Sequence, residues 1–298
     1  MIKQLLKKKI RSLVGMNELH QEMQELRLDL GRIANKVYGT SENDHEFRVF
    51  SQFGDDGIIQ WLTKNINISR KIFVEFGVEN YVESNTRFLL MNDNWSGLVM
   101  DGNSTNINFI KSDGIYWKYN LKAKQAFITA ENINELIASE FLVSGEGKPY
   151  KIGLLSIDVD GNDYWIWEKI DCIDPDIVVC EYNGVWGMDD AITIPYDPDF
   201  VRENAHYSRI YFGASIAALN KLANKKGYSL VAGNQAGNNV YFVRNDLLND
   251  SVKKKEIKDV FHQYQYRQAR DEFGNLSYIN LEEERELIQN LPIVRIED

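Results

Sequence analysis

Apolar positions change their period along this chain, and the changes mark its parts. Met16, Leu19, Met23, Leu26, Leu30, Ile33 and Val37 follow steps of three and four, the a/d pattern of a coiled coil sustained for about three heptads. Glu22, Glu25, Arg27, Asp29 and Arg32 take the flanks. The pattern predicts a coiled coil over residues 16–37 and a homo-oligomer; an amphipathic helix packed on its own domain would give a similar stripe. Upstream, Ile2, Leu5, Leu6, Ile10, Leu13 and Val14 recur at helical spacing opposite Lys3, Lys7, Lys8, Lys9 and Arg11. Residues 1–15 thus read as a basic amphipathic helix, ended by Gly15, whose residues 2–14 suit an anionic inner-membrane face. The alternative is the solvated start of a longer helix. Residues 38–45, polar and containing Gly39, read as a linker.

From residue 46 the pattern becomes short apolar runs alternating with helix-length segments. A lead-in helix over residues 50–61 precedes strands at 72–75, 97–100, 126–129, 152–157 and 177–180. Helices near 85–91, 107–111, 133–141 and 164–170 separate them, and the glycine-rich run at 144–148 is a turn. Such alternation predicts a doubly wound α/β domain. A helix at 214–225, closed by Gly227, leads to two strands at 229–232 and 240–243. Only seven residues join these, so the pair must be an antiparallel hairpin. A parallel sheet ending in such a hairpin is the Rossmann-like, seven-stranded methyltransferase arrangement, here spanning residues 46–248. Residues 249–298 form a charged extension with a helix near 281–289, and the sequence leaves open whether it docks on the domain or on a partner.

Composition narrows the function. The chain has 298 residues, 44% of them hydrophobic, and a formal net charge of -10; that balance argues against a nucleic-acid partner, which needs a basic face. No run of about 18 apolar residues is present. The two cysteines, Cys172 and Cys180, lie in apolar surroundings, and a cytoplasmic location, peripheral at the inner face of the membrane, is expected.

Chemistry concentrates at the expected strand ends. Glu75 and Asp101 close the first two strands, and ligands of open parallel sheets bind outside such ends. A dinucleotide site would need G-x-G-x-x-G to meet a pyrophosphate. Here the run from Gly77 is G-V-E-N-Y-V, and Glu79 would repel phosphate. S-adenosylmethionine (SAM) carries a sulfonium and a ribose without phosphate, so these acids favour it over a nicotinamide cofactor. The alternative is that Glu75 and Asp101 merely cap helices and bind nothing. Asp158 and Asp160 follow the fourth strand, and Glu181 and Asn183 the fifth. These four could converge on one divalent cation such as Mg2+, which would acidify an acceptor hydroxyl; a SAM-facing loop with a helix cap is the other reading. Without a metal a general base is required, and His206 is placed for it in the segment after strand five, with Trp186, Tyr196, Tyr207, Tyr211 and Phe212 around it.

Glu75-Phe-Gly77, Glu83-Ser-Asn-Thr86, Trp95-Ser-Gly97, Asp101-Gly102, Thr129-Ala-Glu-Asn132 and Ile157-Asp-Val-Asp-Gly161 together resemble the FkbM-like class of SAM-dependent methyltransferases, over roughly residues 50–245. Many members act on sugars or glycans. The resemblance implies that Glu75 and Gly77 line the methionine end of SAM and that Asn85 and Asp158 are further cofactor contacts. It places Asp101 on the ribose hydroxyls and Ala130 with Glu131 beside the adenine. The acids after strand four and the acid and asparagine after strand five resemble the site of metal-dependent O-methyltransferases. The expected function is O-methylation of a sugar hydroxyl on a surface glycan or its precursor, with Asp160 and His206 as catalytic residues. A non-catalytic oligomeric scaffold and an NAD-dependent sugar oxidoreductase are the competing readings. The missing second glycine, filled by Glu79, departs from the family pattern.

Overall fold

The computed structural model describes residues 2–37, 45–141, 149–264, 266 and 268–297, leaving out the side chains of residues 2–18 and 20. The turn expected at 144–148 and most of the linker expected at 38–45 lie outside the described residues.

The chain opens with α1 (Ile2–Val37), one continuous helix. Gly15 does not interrupt it, because an interior glycine costs a helix only about 1 kcal/mol and stops nothing by itself. Its second half docks on the domain by a face other than the heptad stripe. Leu28 is buried with Phe47, Val49, Phe50 and Phe88, Gly31 lets Val49 approach closely, Arg32 Nε donates to Asn92 Oδ1 (3.1 Å) and Asn35 Nδ2 to Gln60 Oε1 (2.7 Å). The stripe itself, Leu19, Met23, Leu26, Leu30, Ile33 and Val37, is more than half exposed at every position.

The sheet is built from α2 (Asp55–Asn65), β1 (Ile72–Phe76), α3 (Arg87–Asp93), β2 (Ser96–Asp101), α4 (Ser104–Ser112), α5 (Gly114–Lys118), β3 (Leu121–Gln125), α6 (Ile133–Ala138), β4 (Tyr150–Ile157), α7 (Asp163–Lys169) and β5 (Ile173–Glu181). A short strand β6 (Ile192–Thr193) and helix α8 (Arg202–Ala205) follow, then α9 (Ile216–Lys226), β7 (Tyr228–Gly233) and β8 (Asn239–Arg244). The strand order is β3-β2-β1-β4-β5-β8-β7. The first five strands pair in parallel, and β8 is antiparallel to both β5 and β7. This is the Rossmann-like seven-stranded methyltransferase sheet, with its terminal hairpin as expected. Buried aliphatic and aromatic side chains cover both faces, which is why β1, β4 and β5 are near-continuous apolar runs.

The third strand lies five residues earlier than its apolar run suggested, and 126–129 forms the turn after it. β3 is a sheet edge whose Leu121 and Ala123 point inward while Lys122 stays exposed, so it alternates where an apolar run was sought. Lys122 and Lys124 pair with Glu140 at 3.4 and 3.3 Å, charges that blunt an edge against further strand pairing. α9 is capped by Ser215, which accepts from Ala218 N, and ends at Gly227 with φ 86°, the left-handed stop that glycine adopts freely.

The C-terminal extension docks on the domain. Through α10 (Ile257–Val260), α11 (Leu281–Ile288) and β9 (Val294–Arg295) it runs back across the end of the sheet. Tyr182 OH donates to His262 O (2.9 Å), Arg285 Nε to Val185 O (2.8 Å), and β9 pairs with β6. Ala269 and Ile288 join Val185, Ile194, Ile210 and Tyr211 in a small core over the β5 end. Among the described residues no helix is long and apolar enough to cross a membrane.

Candidate active site

β1 lies between β2 and β4, so the chain leaves it in opposite directions on its two sides, and the crevice at its carboxyl end is the topological switch point where such sheets bind ligands. A cavity of about 240 Å3 opens there. The β1 end supplies Glu75 and Gly77, the β4 and β5 ends supply Asp158, Asp160 and Glu181, and Arg202, Tyr266 and Gln268 close the far side. A larger groove of about 540 Å3 runs between α1 and the α4–α5 region. It holds none of the strand-end acids, so the smaller cavity is the one with chemistry.

Gly77 sits at φ 67°, and a Cβ there would lie 1.7 Å from Asp158 O. Glycine is what lets the β1 end close on the loop after β4. Glu79, which replaces the second glycine of the dinucleotide pattern, holds φ 46°. It keeps the left-handed backbone that glycine would adopt, at a cost of about 1–2 kcal/mol. The loop Asp158–Gly161 is held from below by Asp163, whose oxygens accept from Val159 N (2.9 Å) and Gly161 N (3.0 Å).

Glu75 is buried and works first as a helix cap. Its carboxylate accepts from Asn85 N (2.8 Å), Thr86 N (3.2 Å) and Thr86 Oγ1, holding the start of α3. Burial pushes its pKa up to about 7. Asn85 lines the cavity and donates from Nδ2 to Ser156 Oγ at 3.1 Å. Asp101, at the β2 end, accepts on Oδ1 from Asn103 N (2.8 Å) and Asn106 Nδ2 (3.0 Å). Ala130 and Glu131 lie in the turn after β3, tied to the post-β5 segment: Ala130 N donates to Tyr196 OH (3.0 Å), and Tyr196 OH to Glu131 Oε2 (2.5 Å).

The acidic constellation assembles in part. Carboxylate oxygens of Asp158, Asp160 and Glu181 lie within 4.8 Å of one another. Burial and the neighbouring carboxylates push Asp158 and Glu181 well above the usual carboxylate range, and Glu181 Oε2 is buried with no hydrogen-bond partner among the described residues. Hard oxygen donors at this spacing fit a divalent ion such as Mg2+. Asn183, expected as the fourth ligand, is used otherwise. Its Nδ2 donates to Ile210 O (2.8 Å) and Phe212 O (3.0 Å), and its Oδ1 accepts from Val185 N (3.0 Å). Every polar group of that side chain pins the chain after β5.

His206 does not line the cavity. Its Nδ1 shares a hydrogen bond with Ser208 Oγ at 2.7 Å, and partial burial lowers its pKa. The same segment instead delivers Arg202, whose Nη1 lies 2.7 Å from Asp160 Oδ1 and whose guanidinium carbon sits 3.6 Å from the centre of the Phe212 ring. Arg202 was within reach of sequence reasoning, four residues before His206. Tyr266 and Gln268 carried no local signal, since they come from the extension and reach the cavity only through its docking. Asp55 and Asp56, adjacent acids in the first turn of α2, are buried structural groups. Asp56 Oδ2 accepts from Val49 N, Phe50 N and Ser51 N, and Asp55 Oδ1 from Asn234, Asn239 and Tyr241.

No protein-family model matches the chain, and no curated protein matches it in sequence. Solved structures similar to it include three that differ widely in sequence. The bifunctional kinase-methyltransferase WbdD is 14% identical with a TM-score of 0.36, covering 62% of this chain. This chain spans only 37% of the WbdD chain. The O-methyltransferase from Bacillus cereus in complex with S-adenosylhomocysteine is 13% identical with a TM-score of 0.41, covering 75% of this chain and 91% of that one. The N-terminal domain of EvdMO1, crystallised in the presence of S-adenosylhomocysteine and D-fucose, is 10% identical with a TM-score of 0.39, covering 72% and 95%.

Proposed function

We propose that this chain is a SAM-dependent O-methyltransferase acting on a sugar hydroxyl of a glycan or its precursor. The observation that carries the reading is the acidic, phosphate-averse cavity at the switch point of a methyltransferase-type sheet, where Gly77 permits close approach and Glu75, Glu79, Asp158, Asp160 and Glu181 line the walls together with Arg202. Such a lining suits a sulfonium and hydroxyls and repels a pyrophosphate, which weighs against the nicotinamide alternative.

When bound, SAM supplies an electrophilic methyl carbon. Glu75, Gly77 and Asn85 hold its methionine end, Asp101 its ribose, and Ala130 with Glu131 its base. Direct methyl transfer would leave the C–S electron pair on sulfur and would need a group of the chain to take the hydroxyl proton of the acceptor. Asp160 lines the cavity and is the proposed base, with His206, which does not line it, as the second candidate. Tyr266 gives an aromatic face and Gln268 an amide, groups that suit a sugar ring and its hydroxyls. A divalent ion on Asp158, Asp160 and Glu181 is a variant of this reading, favoured by the orphaned Glu181 oxygen; it requires Arg202 to release Asp160.

The test is calorimetry with SAM and with S-adenosylhomocysteine. Binding of both is expected, and no heat from either overturns the enzyme reading in favour of a scaffold. Asp160→Asn should then lower turnover at least about 100-fold while His206→Gln changes it less; the reverse order transfers the role of base to His206.

The exposed stripe on α1 takes a second copy of this chain, making a homo-oligomer. Six apolar side chains in heptad register, each leaving roughly 100 Å2 open, bury about 1,200 Å2 across a symmetric pair, the lower end of a stable interface. Leu26→Glu with Leu30→Glu should yield monomers in sedimentation. Retention of the parent's oligomeric state would remove the stripe from consideration. Residues 2–14 are proposed to rest on an anionic inner-membrane surface from the cytoplasmic side; deleting them should abolish liposome association.

A further inference from the structure

The carboxylate cluster at the ends of β4 and β5 already has a cation beside it. Asp158, Asp160 and Glu181 present oxygens within 4.8 Å of one another, and Glu181, nine-tenths buried, has an oxygen, Oε2, with no hydrogen-bond partner among the described residues. Clusters of this kind hold either a proton or a positive group, because like charges in a partly desolvated site repel.

Arg202 is seated against the cluster and held by groups that are not part of it. Nη1 meets Asp160 Oδ1 at 2.7 Å, Nε donates to Arg209 O at 2.8 Å, Nη2 donates to Gln268 Oε1, and the guanidinium lies over the Phe212 ring at 3.6 Å. The Arg202 side chain is 14% exposed where that of Asp160 is 64% exposed. It is therefore the acid that reaches to a fixed arginine, and not a mobile arginine that has wandered onto a surface acid. Asp160 makes this reach with a left-handed backbone, φ 54°, a conformation a non-glycine residue holds only when its surroundings enforce it. Gln268, one of the holders, comes from the C-terminal extension, so docking of that extension fixes the arginine.

We infer that Arg202 is the resident cation of the Asp158–Asp160–Glu181 cluster, holding through its pair with Asp160 a carboxylate that a divalent ion would need, so that the cavity handles its acceptor without a metal. A divalent ion entering the cluster would have to take Asp160 from Arg202 and then sit beside an immobilised positive charge. The bonds above use three of the five guanidinium N–H groups. The other two can meet an acceptor oxygen, which makes Arg202 a positioning residue for the acceptor; this last clause rests on the methyltransferase reading, whereas the exclusion of metal does not.

The test uses Mn2+ as the probe, followed by electron paramagnetic resonance on the full chain. The parent should bind no Mn2+ up to about 1 mM, a ceiling far above what a satisfied three-carboxylate site would need. Arg202→Met keeps a stem over Phe212 and removes the charge; it should bind Mn2+ at least about tenfold more tightly than the parent. Arg202→Lys keeps the charge and should still exclude the ion. Binding of Mn2+ by the parent below about 100 μM, abolished by Asp160→Asn, overturns the inference. So does an Arg202→Met variant that melts like the parent yet gains no Mn2+ site. Should Arg202→Met fail to fold, the parent and Arg202→Lys decide between them: exclusion by both supports the inference, and uptake by either refutes it. None of these readouts involves SAM, so a failure here leaves the calorimetric test of the enzyme reading untouched.

Discussion

Replacing Gly77 by alanine tests whether the β1 end and the loop after β4 meet as described. An alanine Cβ at this position would lie 1.7 Å from Asp158 O, whereas carbon and carbonyl oxygen normally keep about 3.3 Å. The two strand ends must part by about 1.6 Å, and the hydrogen bond from Gly77 N to Met100 O, 3.1 Å long, is strained by the same movement. The left-handed backbone, φ 67°, adds about 1–2 kcal/mol for any residue with a Cβ. Overpacking of this kind costs about 1–3 kcal/mol, and a weakened backbone hydrogen bond about 1 kcal/mol. Against these, alanine restricts the unfolded chain and returns about 0.4–1 kcal/mol. The net expectation is a loss of about 2–6 kcal/mol, a large part of the stability of an ordinary domain. Gly102→Ala is the matched control. It too ends a strand, but its Cβ would sit 3.6 Å from Phe127 Cδ2 and 3.9 Å from Ala126 O, ordinary contacts, and a change below about 1 kcal/mol is expected. Urea unfolding of the parent and both variants reads the difference, and calorimetry with S-adenosylhomocysteine should show heat for Gly102→Ala and none for Gly77→Ala. Equal stabilities for the two variants, within about 1 kcal/mol, would refute the strand-end geometry.

Three further expectations follow from neighbouring residues. Glu79→Gly relieves a left-handed backbone at φ 46° and should stabilise the fold by about 0.5–1 kcal/mol after the entropy of glycine is subtracted; a destabilised variant in urea unfolding would show that the Glu79 side chain holds the loop. Asn183→Ala takes the partner from Ile210 O and Val185 N, while Phe212 O keeps its bond from Trp186 Nε1; it should cost about 3 kcal/mol, and an unchanged urea midpoint would reopen its role as a ligand. Burial raises Glu75 to about 7 and both Asp56 and Asp163 to about 6. Each folded-state value lies above the unfolded one, so the folded chain retains protons that the unfolded chain has released, and stability is lost as pH rises from about 4 to 7. Glu75 contributes about 3 kcal/mol to that loss; urea midpoints should therefore fall between pH 5 and pH 8, less steeply in Glu75→Gln, and a rise over that range in the parent would contradict the assignment.

The sheet was legible because its parallel strands are buried on both faces. Val74, Leu98, Leu155 and Val178 sit in continuous apolar runs, and a link of seven residues admits only a hairpin. β3 was misplaced because an edge strand needs only alternate apolar residues, and Leu121-Lys-Ala-Lys-Gln125 shows two among three polar ones. The stripe on α1 was read correctly as a stripe, but the helix has a second buried face, formed by Leu28 and Gly31, whose small and mixed residues give no periodic signal. The docking of the extension was invisible for a related reason: its contacts run through backbone carbonyls, such as those of His262 and Val185, which every sequence possesses.

The site divides along the same line. Residues that follow a strand directly, Glu75, Gly77, Asp158, Asp160 and Glu181, could be placed from sequence because the strand fixes where they emerge. Asn183 follows a strand as well, yet its amide serves the backbone, and sequence cannot tell an amide that faces a cavity from one that accepts and donates beneath it. Arg202 and Gln268 depend on two excursions of the chain meeting over the strand ends. That meeting changes the chemistry: three carboxylates alone describe a metal site, and three carboxylates with a guanidinium held from behind by Phe212 and Gln268 describe a site whose cation is covalently part of the chain. Which of these the protein uses is therefore a property of the post-β5 segment and the extension together, and changes confined to those two stretches should be able to convert one into the other without altering the sheet.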